Sequence, residues 1–256
     1  MLTTVVFDAD ETLVDLRPAV TGGLEAVLAR MRRLTPAAVG VTLADLESDW
    51  SAVFGDLAAA PVAEIRRAAL ARSLDRADLG GHLDEIVELF FARRFALTRP
   101  FADVLPALAA LRTQWSVGLA TNGNSRAERC GLTGQFAFEV YAHHDGVPKK
   151  PDPDFYAAAC AAAGADPTQV VHVGDNLVND VVAAQQAGLR AVWLNRRGER
   201  LPADVVPDAV VSTLTELPGA LANLSRGVAR GSGQGGGDGG GGGRHLCADR
   251  FGVQRR

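Results

Sequence analysis

The sequence has few cysteines, no long apolar run and no excess of basic residues. Its three cysteines, Cys130, Cys160 and Cys247, lack the spacing of a metal site, so they fit a reducing compartment rather than a disulfide-stabilised fold. No apolar run reaches the roughly 18 residues of a transmembrane helix. The first residues also lack the charged segment and the cleavage site of a signal peptide. We therefore expect a cytoplasmic protein that does not associate with membranes.

The charge balance argues against nucleic-acid binding. The chain has 256 residues, of which 26 are basic and 30 acidic, and its net charge is −4. A protein that binds nucleic acid usually carries a basic surplus. No nucleic acid is therefore expected as a partner.

The length of the chain is also informative, since a chain of this length buries a sizeable core without disulfides or a structural metal.

Glycine is concentrated near the C-terminal end of the chain. The run GSGQGGGDGGGGG covers 231–243, and 12 of the 28 glycines lie after residue 226. A segment of this composition buries too little apolar surface to offset the entropy that is lost on ordering. We predict a disordered, glycine-rich tail over 226–256.

Strand-like and helix-like segments alternate through most of the remaining chain. Short apolar runs typical of buried parallel strands occur at 2–10, 116–121, 138–143, 169–175 and 190–194. Helical segments are predicted at 101–112, 153–164 and 179–188. This alternation predicts an α/β fold, with a doubly wound parallel sheet formed by residues 1–15 and 100–225.

Residues 16–99 interrupt this alternation with helical segments only. Helices are predicted at 19–34, 42–57, 61–76 and 82–97. In the last of these, the run HLDEIVELFFARRFAL places apolar side chains on a broad face. We predict a small helical domain inserted after the first strand.

A pair of acidic residues, Asp8 and Asp10, follows the first predicted strand in the run FDADETLVD. Ligands of open α/β sheets bind at this edge of the sheet. Alternate residues of a strand face the same way, so the two carboxylates are expected to converge. Their repulsion would be relieved by a divalent cation, and oxygen ligands suit Mg²⁺. An isolated pair of this kind also occurs where one acid caps a turn and the other is solvated.

A second acidic motif, GDNLVND at 174–180, follows another apolar strand. It brings Asp175 and Asp180 to the same edge of the sheet. Taken alone, Asp180 would serve equally well as a helix N-cap. Paired acids at the ends of two distant strands are harder to explain by capping.

Two further segments supply groups suited to an anion. Thr121, Asn122 and Gly123 lie at the end of the second sheet strand, where a hydroxyl and exposed backbone N–H groups form an anion-binding turn. Lys149 and Lys150 precede the rigid sequence Pro-Asp-Pro and offer a cation to a phosphoryl oxygen. Considered separately, these segments are also compatible with an ordinary turn and a solvated pair of lysines.

The order of these four segments resembles the haloacid dehalogenase-like (HAD) hydrolase superfamily. The resemblance covers roughly residues 3–220 and includes the helical insert, which matches the family's cap. It implies a Rossmann-like core, an inserted helical cap and hydrolase activity. It also implies that the cap closes over the site, excludes water and contacts the leaving group of the substrate.

The same resemblance implies a role for each matching residue. Asp8 matches the nucleophile that forms an aspartyl-phosphate, and Asp10 matches the acid/base that protonates the leaving oxygen and then activates water. Thr121, with Asn122 beside it, matches the phosphate-binding motif. Lys150 matches the lysine that holds the phosphoryl oxygens and the nucleophile.

The resemblance further implies a Mg²⁺ site. Its ligands would be the Asp8 side chain, the Asp10 backbone carbonyl and Asp175. Asp180 would either touch the metal or orient its water and Lys150.

We therefore predict a Mg²⁺-dependent phosphatase that acts on a small phosphorylated metabolite. Family members that remove halogen from carbon lack an acid at the position of Asp10 and need no metal, so its presence favours phosphoryl chemistry. A phosphomutase of the same superfamily and a non-catalytic binding protein on this scaffold remain as alternatives.

Overall fold

A parallel β-sheet forms the centre of the computed structural model, which describes residues 1–231. The strands, in chain order, are β1 (Thr4–Phe7), β2 (Val14–Asp15), β3 (Arg99–Pro100), β4 (Ser116–Thr121), β5 (Phe138–Tyr141), β6 (Val170–Gly174), β7 (Arg190–Leu194) and β8 (Ala209–Val211). All except β2 and β3 belong to the sheet, in the order β5-β4-β1-β6-β7-β8, and every neighbouring pair is parallel. The predicted α/β fold with a doubly wound sheet is confirmed.

Helices cover both faces of the sheet, which explains why its strands are apolar throughout. In β1, Val5 and Phe7 pack into the core on one face and Val6 into the core on the other, because successive side chains of a strand point in opposite directions. The helices of this part are α5 (Val104–Leu111), α6 (Pro153–Ala163), α7 (Ala183–Gln186) and α8 (Leu217–Gly231). Both faces are thus removed from water, as expected of a parallel sheet.

Four α-helices lie between β2 and β3 and have a hydrophobic core of their own. They are α1 (Leu16–Leu34), α2 (Leu43–Phe54), α3 (Val62–Asp75) and α4 (Leu83–Leu97). Leu24, Met31, Leu70 and Phe90 are among the buried residues of this core. The antiparallel pair of β2 and β3 connects the helical segment to the sheet at both of its ends.

The first strand is shorter than the predicted segment 2–10. It ends at Phe7, after which the backbone N–H groups of Leu13 and Val14 donate to the carbonyl oxygen of Ala9 and form a tight turn. Asp8 and Asp10 therefore lie in the loop after the strand, and strand alternation does not orient them.

Three other elements differ from the predicted ones. The helix predicted at 179–188 begins with a π-helical turn, Leu177–Val182, and ends at Gln186. The short strand β8 was not predicted. The last helix extends to Gly231, beyond the predicted start of the tail at 226, and residues 232–256 of the predicted tail lie outside the described residues. Among residues 1–231, no helix is both long and apolar enough to span a bilayer.

Candidate active site

Three adjacent strands of the sheet bring the predicted site residues together. Asp8 directly follows β1, Thr121 ends β4, and Asp175 directly follows β6. Because β4, β1 and β6 are parallel neighbours, their carboxyl ends meet at one edge of the sheet. This edge is the usual ligand site of an open α/β sheet.

Lys150 connects two of the acidic motifs. Its Nζ lies 2.8 Å from Oδ1 of Asp8 and 2.7 Å from Oδ1 of Asp180, and it also donates to the carbonyl oxygen of Ala120 at 3.3 Å. Lys150 is only 3% exposed. Burial alone would lower its pKa, but Asp180 and Asp8 raise the pKa of Lys150 above its ordinary value. The side chain is therefore a buried cation.

Asn122 fixes the backbone of Lys150. Its Nδ2 donates to the carbonyl oxygen of Lys150 at 2.9 Å, and its Oδ1 accepts the N–H of Lys150 at 2.7 Å. Both ends of the predicted substrate-binding amide are thus engaged with the loop before α6. The adjacent Thr121 is buried, and its Oγ1 accepts the backbone N–H of Gly123 at 3.1 Å.

The carboxylates of Asp8, Asp175 and Asp180 form a cluster in which one oxygen of each lies within 4.8 Å of the others. Burial raises the pKa of Asp8 to about 7, with Asp180 and Asp10 adding to the effect and Lys150 opposing it. Burial, Asp8 and Asp180 raise the pKa of Asp175 to about 8. Crowded carboxylates resist ionisation in this way unless a cation relieves them.

These residues fit a divalent cation. They offer several carboxylate oxygens, the donor type that hard cations such as Mg²⁺ prefer. Asp180 differs from its neighbours, because Lys150 and His172 hold its pKa below the ordinary value although burial opposes this. Asp8 and Asp175 are therefore the two carboxylates whose charge a cation would stabilise most.

Asp10 has separate contacts with the helical segment. Ser125 donates a short hydrogen bond to Oδ1 of Asp10, and Ser125 in turn accepts from Nη2 of Arg94 in α4 at 2.5 Å. Nη2 of Arg94 is 3.7 Å from the same oxygen of Asp10. A Cβ atom added to Gly123 would lie 2.2 Å from Oδ2 of Asp10, so a larger residue there would displace the Asp10 carboxylate.

Sequence reasoning missed His172, Ser125 and Arg94. His172 is buried in β6, and its Nε2 lies 3.0 Å from Oδ1 of Asp180. Burial lowers the pKa of His172, although the hydrogen bond to Asp180 opposes the shift. Because a carboxylate oxygen accepts, Nε2 is the donor of this hydrogen bond. The sequence could have indicated His172, because a histidine is unusual within an apolar run such as VVHV. Ser125 and Arg94 are far apart in sequence and had no signal of this kind.

The loop after β6 is held in place by neighbouring polar groups. The backbone N–H of Asp175 donates to Oγ1 of Thr12 at 3.1 Å, and Nε1 of Trp193 donates to the carbonyl oxygen of Asp175 at 2.8 Å. The side chain of Asn176 caps the π-helical turn. A Cβ atom at Gly174 would lie 2.2 Å from Cγ of Asp180, so this glycine permits the close approach of the carboxylate.

The site opens into a small cavity with a volume of about 210 Å³. Val62 of α3 and Lys149 line it together with the acidic residues. Lys149 is not equivalent to Lys150, because its Nζ donates to the carbonyl oxygen of Ala58 and lies over the ring of Phe54. The helical segment thus forms part of the cavity wall.

Comparison with known proteins identifies the family. Residues 2–188 match the family model described as haloacid dehalogenase-like hydrolase. The chain belongs to this family of hydrolases. The resemblance seen in the sequence is therefore confirmed, and this HAD-like chain is an enzyme of the hydrolase class.

Several relatives of this HAD-like hydrolase are phosphatases. It is 27% identical to phosphoglycolate phosphatase of Caulobacter vibrioides, over 86% of this chain and 91% of the relative. It is 28% identical to 5-amino-6-(5-phospho-D-ribitylamino)uracil phosphatase YigB of Escherichia coli, over 75% and 83% of the two chains. A match of 34% identity to HAD-like hydrolase domain-containing protein 3 of Danio rerio spans 41% of this chain and only 45% of the relative.

Solved structures with the same fold include enzymes of another activity. A structure of 2-haloacid dehalogenase from Pseudomonas syringae pv. Tomato DC3000 is 33% identical, with a TM-score of 0.73, and the match covers 88% of this chain and all of that one. The HAD hydrolase YfnB of Bacillus subtilis, solved with magnesium, is 18% identical with a TM-score of 0.69, over 86% and 98% of the two chains. The second likeness shows the fold alone.

Proposed function

We propose that this HAD-like hydrolase is a Mg²⁺-dependent phosphatase of a small phosphorylated metabolite. The observation that carries the proposal is the position of Lys150, which holds the Asp8 carboxylate beside Asp175 and Asp180. A carboxylate that attacks phosphorus must approach a group of like charge, and a buried cation at its side offsets that repulsion.

The reaction would proceed in two displacements. An oxygen of Asp8 attacks phosphorus while the bond between phosphorus and the leaving oxygen breaks, and Asp10 donates its proton to that oxygen. Asp10 then takes a proton from water, which attacks the phosphorus of the aspartyl-phosphate. Phosphate leaves and the Asp8 carboxylate is restored. The covalent intermediate divides one difficult displacement into two easier ones.

The other site residues bind and orient the phosphoryl group. The hydroxyl of Thr121 and the ammonium of Lys150 would hold its oxygens, while Asn122 keeps Lys150 in place. Asp8, Asp175 and the Asp10 backbone carbonyl would hold Mg²⁺, and Asp180 would either join them or orient Lys150 and the metal's water. When bound, the ion supplies positive charge next to the phosphoryl oxygens.

We propose that residues 16–99 act as a cap over a core of 1–15 and 100–225. Val62 lines the site cavity from the helical side, and Lys149 connects the core to the carbonyl oxygen of Ala58. Closure at this boundary would exclude water during the first displacement.

The proposed substrate is a small metabolite. A cavity of about 210 Å³ has the size of a phosphoryl group with a short leaving group, which favours a small metabolite over a folded protein or a nucleic-acid polymer. Relatives named as phosphatases of phosphoglycolate and phosphoserine are consistent with this size. The cytoplasm is the proposed compartment, since such metabolites are found there.

Dehalogenation is the second candidate, because one similar structure is that of a 2-haloacid dehalogenase. Asp10 argues against it, because the family resemblance implies that members that remove halogen from carbon lack an acid at this position. A dehalogenase would release halide from 2-chloropropionate without added metal.

The test is phosphate release from a panel of metabolite phosphates, with Mg²⁺ and with EDTA. We expect turnover that EDTA abolishes and that Asp8→Asn reduces by at least about 1000-fold. Asp15→Asn is the matched control, since Asp15 lies in β2 outside the acidic cluster, and it should retain activity. Halide release would favour the dehalogenase, isomerised sugar phosphates a mutase, and no turnover a binding protein.

A further inference from the structure

Two arginines of the helical segment are buried without a carboxylate that neutralises them fully. Arg66 of α3 is 7% exposed, and its Nη1 has no hydrogen-bond partner among the residues that the structure describes. Its guanidinium lies over the rings of Trp50 and Phe90, at 4.1 and 4.7 Å from their centroids. These rings contact its faces, but they leave the N–H donors unused.

Arg94 of α4 is the second of these residues. It is 3% exposed, and its Nη2 donates to Ser125, while its Nη1 has no partner within residues 1–231. The nearest carboxylate oxygen is Oδ1 of Asp10, at 3.7 Å, and Ser125 already donates to that oxygen. Arg94 thus reaches the active site and still has a free donor.

A buried cation without a partner is costly, so its presence requires an explanation. Lys150 has two carboxylates, and the more exposed Arg72 and Arg76 both pair with Asp49. Burial and the nearby Arg94 lower the pKa of Arg66 to about 10, which leaves it charged at neutral pH. The two buried guanidinium groups therefore repel each other.

Arg94 approaches the cavity through Asp10, which lines it, and Arg66 is close enough to Arg94 for the two charges to interact. Arg66 follows Val62 by four residues in α3, so the two lie on one face of the helix, and Val62 lines the cavity. Arg94 follows Phe90 by four residues in α4, and Phe90 is the ring that Arg66 covers. The Phe90 ring thus connects Arg66 to the helix that carries Arg94.

We infer that Arg66 and Arg94 bind a second anionic group of the substrate, carried by the leaving group. Given the proposed phosphatase activity, on which this inference rests, the substrate class is a phosphomonoester with a carboxylate or another phosphate near the ester oxygen. Guanidinium N–H groups suit both anions, which they bind with paired donors. The anion would neutralise the positive charges of Arg66 and Arg94, which otherwise repel each other.

The test compares esters that differ in this one group. 2-Phosphoglycolate and 2-hydroxyethyl phosphate have nearly the same size, and only the first has a carboxylate. Fructose 1,6-bisphosphate and fructose 1-phosphate distinguish a second phosphate in the same way. We expect the kcat/KM of one anionic ester to exceed that of its neutral counterpart by about 10- to 100-fold, the usual range for charged hydrogen bonds.

Variants of Arg66 show whether the preference originates at this site. Arg66→Met should remove most of the preference, and Arg66→Lys should retain part of it because the charge stays. Arg94→Met should also reduce the ratio of the two kcat/KM values. Arg67→Met is the matched control, since the neighbouring Arg67 is exposed and pairs with Asp84, and it should leave the ratio unchanged.

Thermal stability supplies a readout that does not depend on turnover. Replacing an unpaired buried cation by methionine should raise the Tm of the ligand-free protein. Glycolate and fructose 6-phosphate are the alcohols released from 2-phosphoglycolate and fructose 1,6-bisphosphate. The one that carries the preferred anion should raise the Tm of the wild type but not that of Arg66→Met.

The outcomes separate the two proposals. Equal kcat/KM for the anionic and neutral esters of both pairs in the wild type would overturn the anion site and leave the phosphatase intact. Absence of phosphate release from every ester would overturn the phosphatase. In that case, a wild type that neither glycolate nor fructose 6-phosphate stabilises would overturn the anion site as well.

Discussion

Lys149 and Lys150 are adjacent in the sequence, but only Lys150 reaches the buried carboxylates. Its Nζ contacts Asp8 and Asp180, whereas that of Lys149 contacts the carbonyl oxygen of Ala58. The difference arises because Asn122 binds both backbone groups of Lys150 and so directs its side chain inward. Position, rather than residue type, distinguishes these two lysines.

Replacing each lysine by methionine tests this distinction. Lys150→Met should lower kcat/KM by about 100- to 1000-fold, the loss typical of removing one group that stabilises developing charge. Lys149→Met should lower it by less than about tenfold, because the site retains its buried cation. Steady-state kinetics, with circular dichroism to confirm folding, measure both effects, and equal losses would contradict the assignment.

The helices of the insert are held together by a buried carboxylate as well as by apolar contacts. Asp49 of α2 is 1% exposed. It accepts hydrogen bonds from Arg72 and Ser73 of α3 and from Arg76, which directly follows that helix. Although burial opposes ionisation, hydrogen bonds from Arg76 and Ser73 hold the pKa of Asp49 below its ordinary value. This carboxylate therefore fixes α2 against α3.

Removal of that carboxylate should destabilise the helical segment. Asp49→Ala leaves the donors of three residues without their acceptor, and we expect a loss of about 2–4 kcal/mol in the free energy of unfolding. Asp84→Ala is the control, because Asp84 is an exposed partner of Arg67, and its loss should cost less than about 1 kcal/mol. Denaturant unfolding of both variants decides whether Asp49 has this role.

The same carboxylate predicts a dependence on pH. A carboxyl group with a lowered folded-state pKa contributes stability above its unfolded pKa of 3.8, and that contribution is lost as pH falls through the folded value. The difference in the free energy of unfolding between the wild type and Asp49→Ala should therefore become smaller in acid. A difference that is constant with pH would show that charge is not involved.

The acidic cluster of Asp8, Asp175 and Asp180 lowers the stability of the whole folded protein near neutral pH. Burial raises the pKa of Asp8 to about 7 and that of Asp175 to about 8, from 3.8 in both cases. A group with a raised folded-state pKa contributes stability below its unfolded pKa and loses that contribution as pH rises through the folded value. A cation bound to the ionised carboxylates would therefore restore stability to the folded protein.

This arrangement predicts that Mg²⁺ stabilises the protein more in base than in acid. In EDTA, Tm should fall as pH rises from about 5 to about 8, and Mg²⁺ should offset the fall because it binds the ionised carboxylates. Asp175→Asn should weaken both the pH dependence and the response to Mg²⁺. Thermal melts with and without the metal provide the measurement, and an identical pH profile in the two conditions would contradict the prediction.

The sequence by itself determined the class of fold and the residues at the sheet edge. Alternating apolar segments predict parallel strands, Asp8 and Asp175 directly follow strands, and Thr121 is the last residue of one. Parallel strands share one carboxyl edge, so local position along the chain is enough to bring such residues together. The sequence pointed to Lys149 and Lys150 together, and the family resemblance distinguished Lys150, because both lysines lie in a loop that no strand places.

Only the tertiary structure decided which side chains contact one another at that edge. His172 is part of an apolar strand, and Arg94 lies in an inserted helix 84 positions beyond Asp10 in the chain. The pleat did not orient Asp8 and Asp10, because β1 ends at Phe7 and the chain turns. Periodicity in a sequence reports which face of an element is buried. Contacts between distant elements depend on how those elements pack, which no local pattern records.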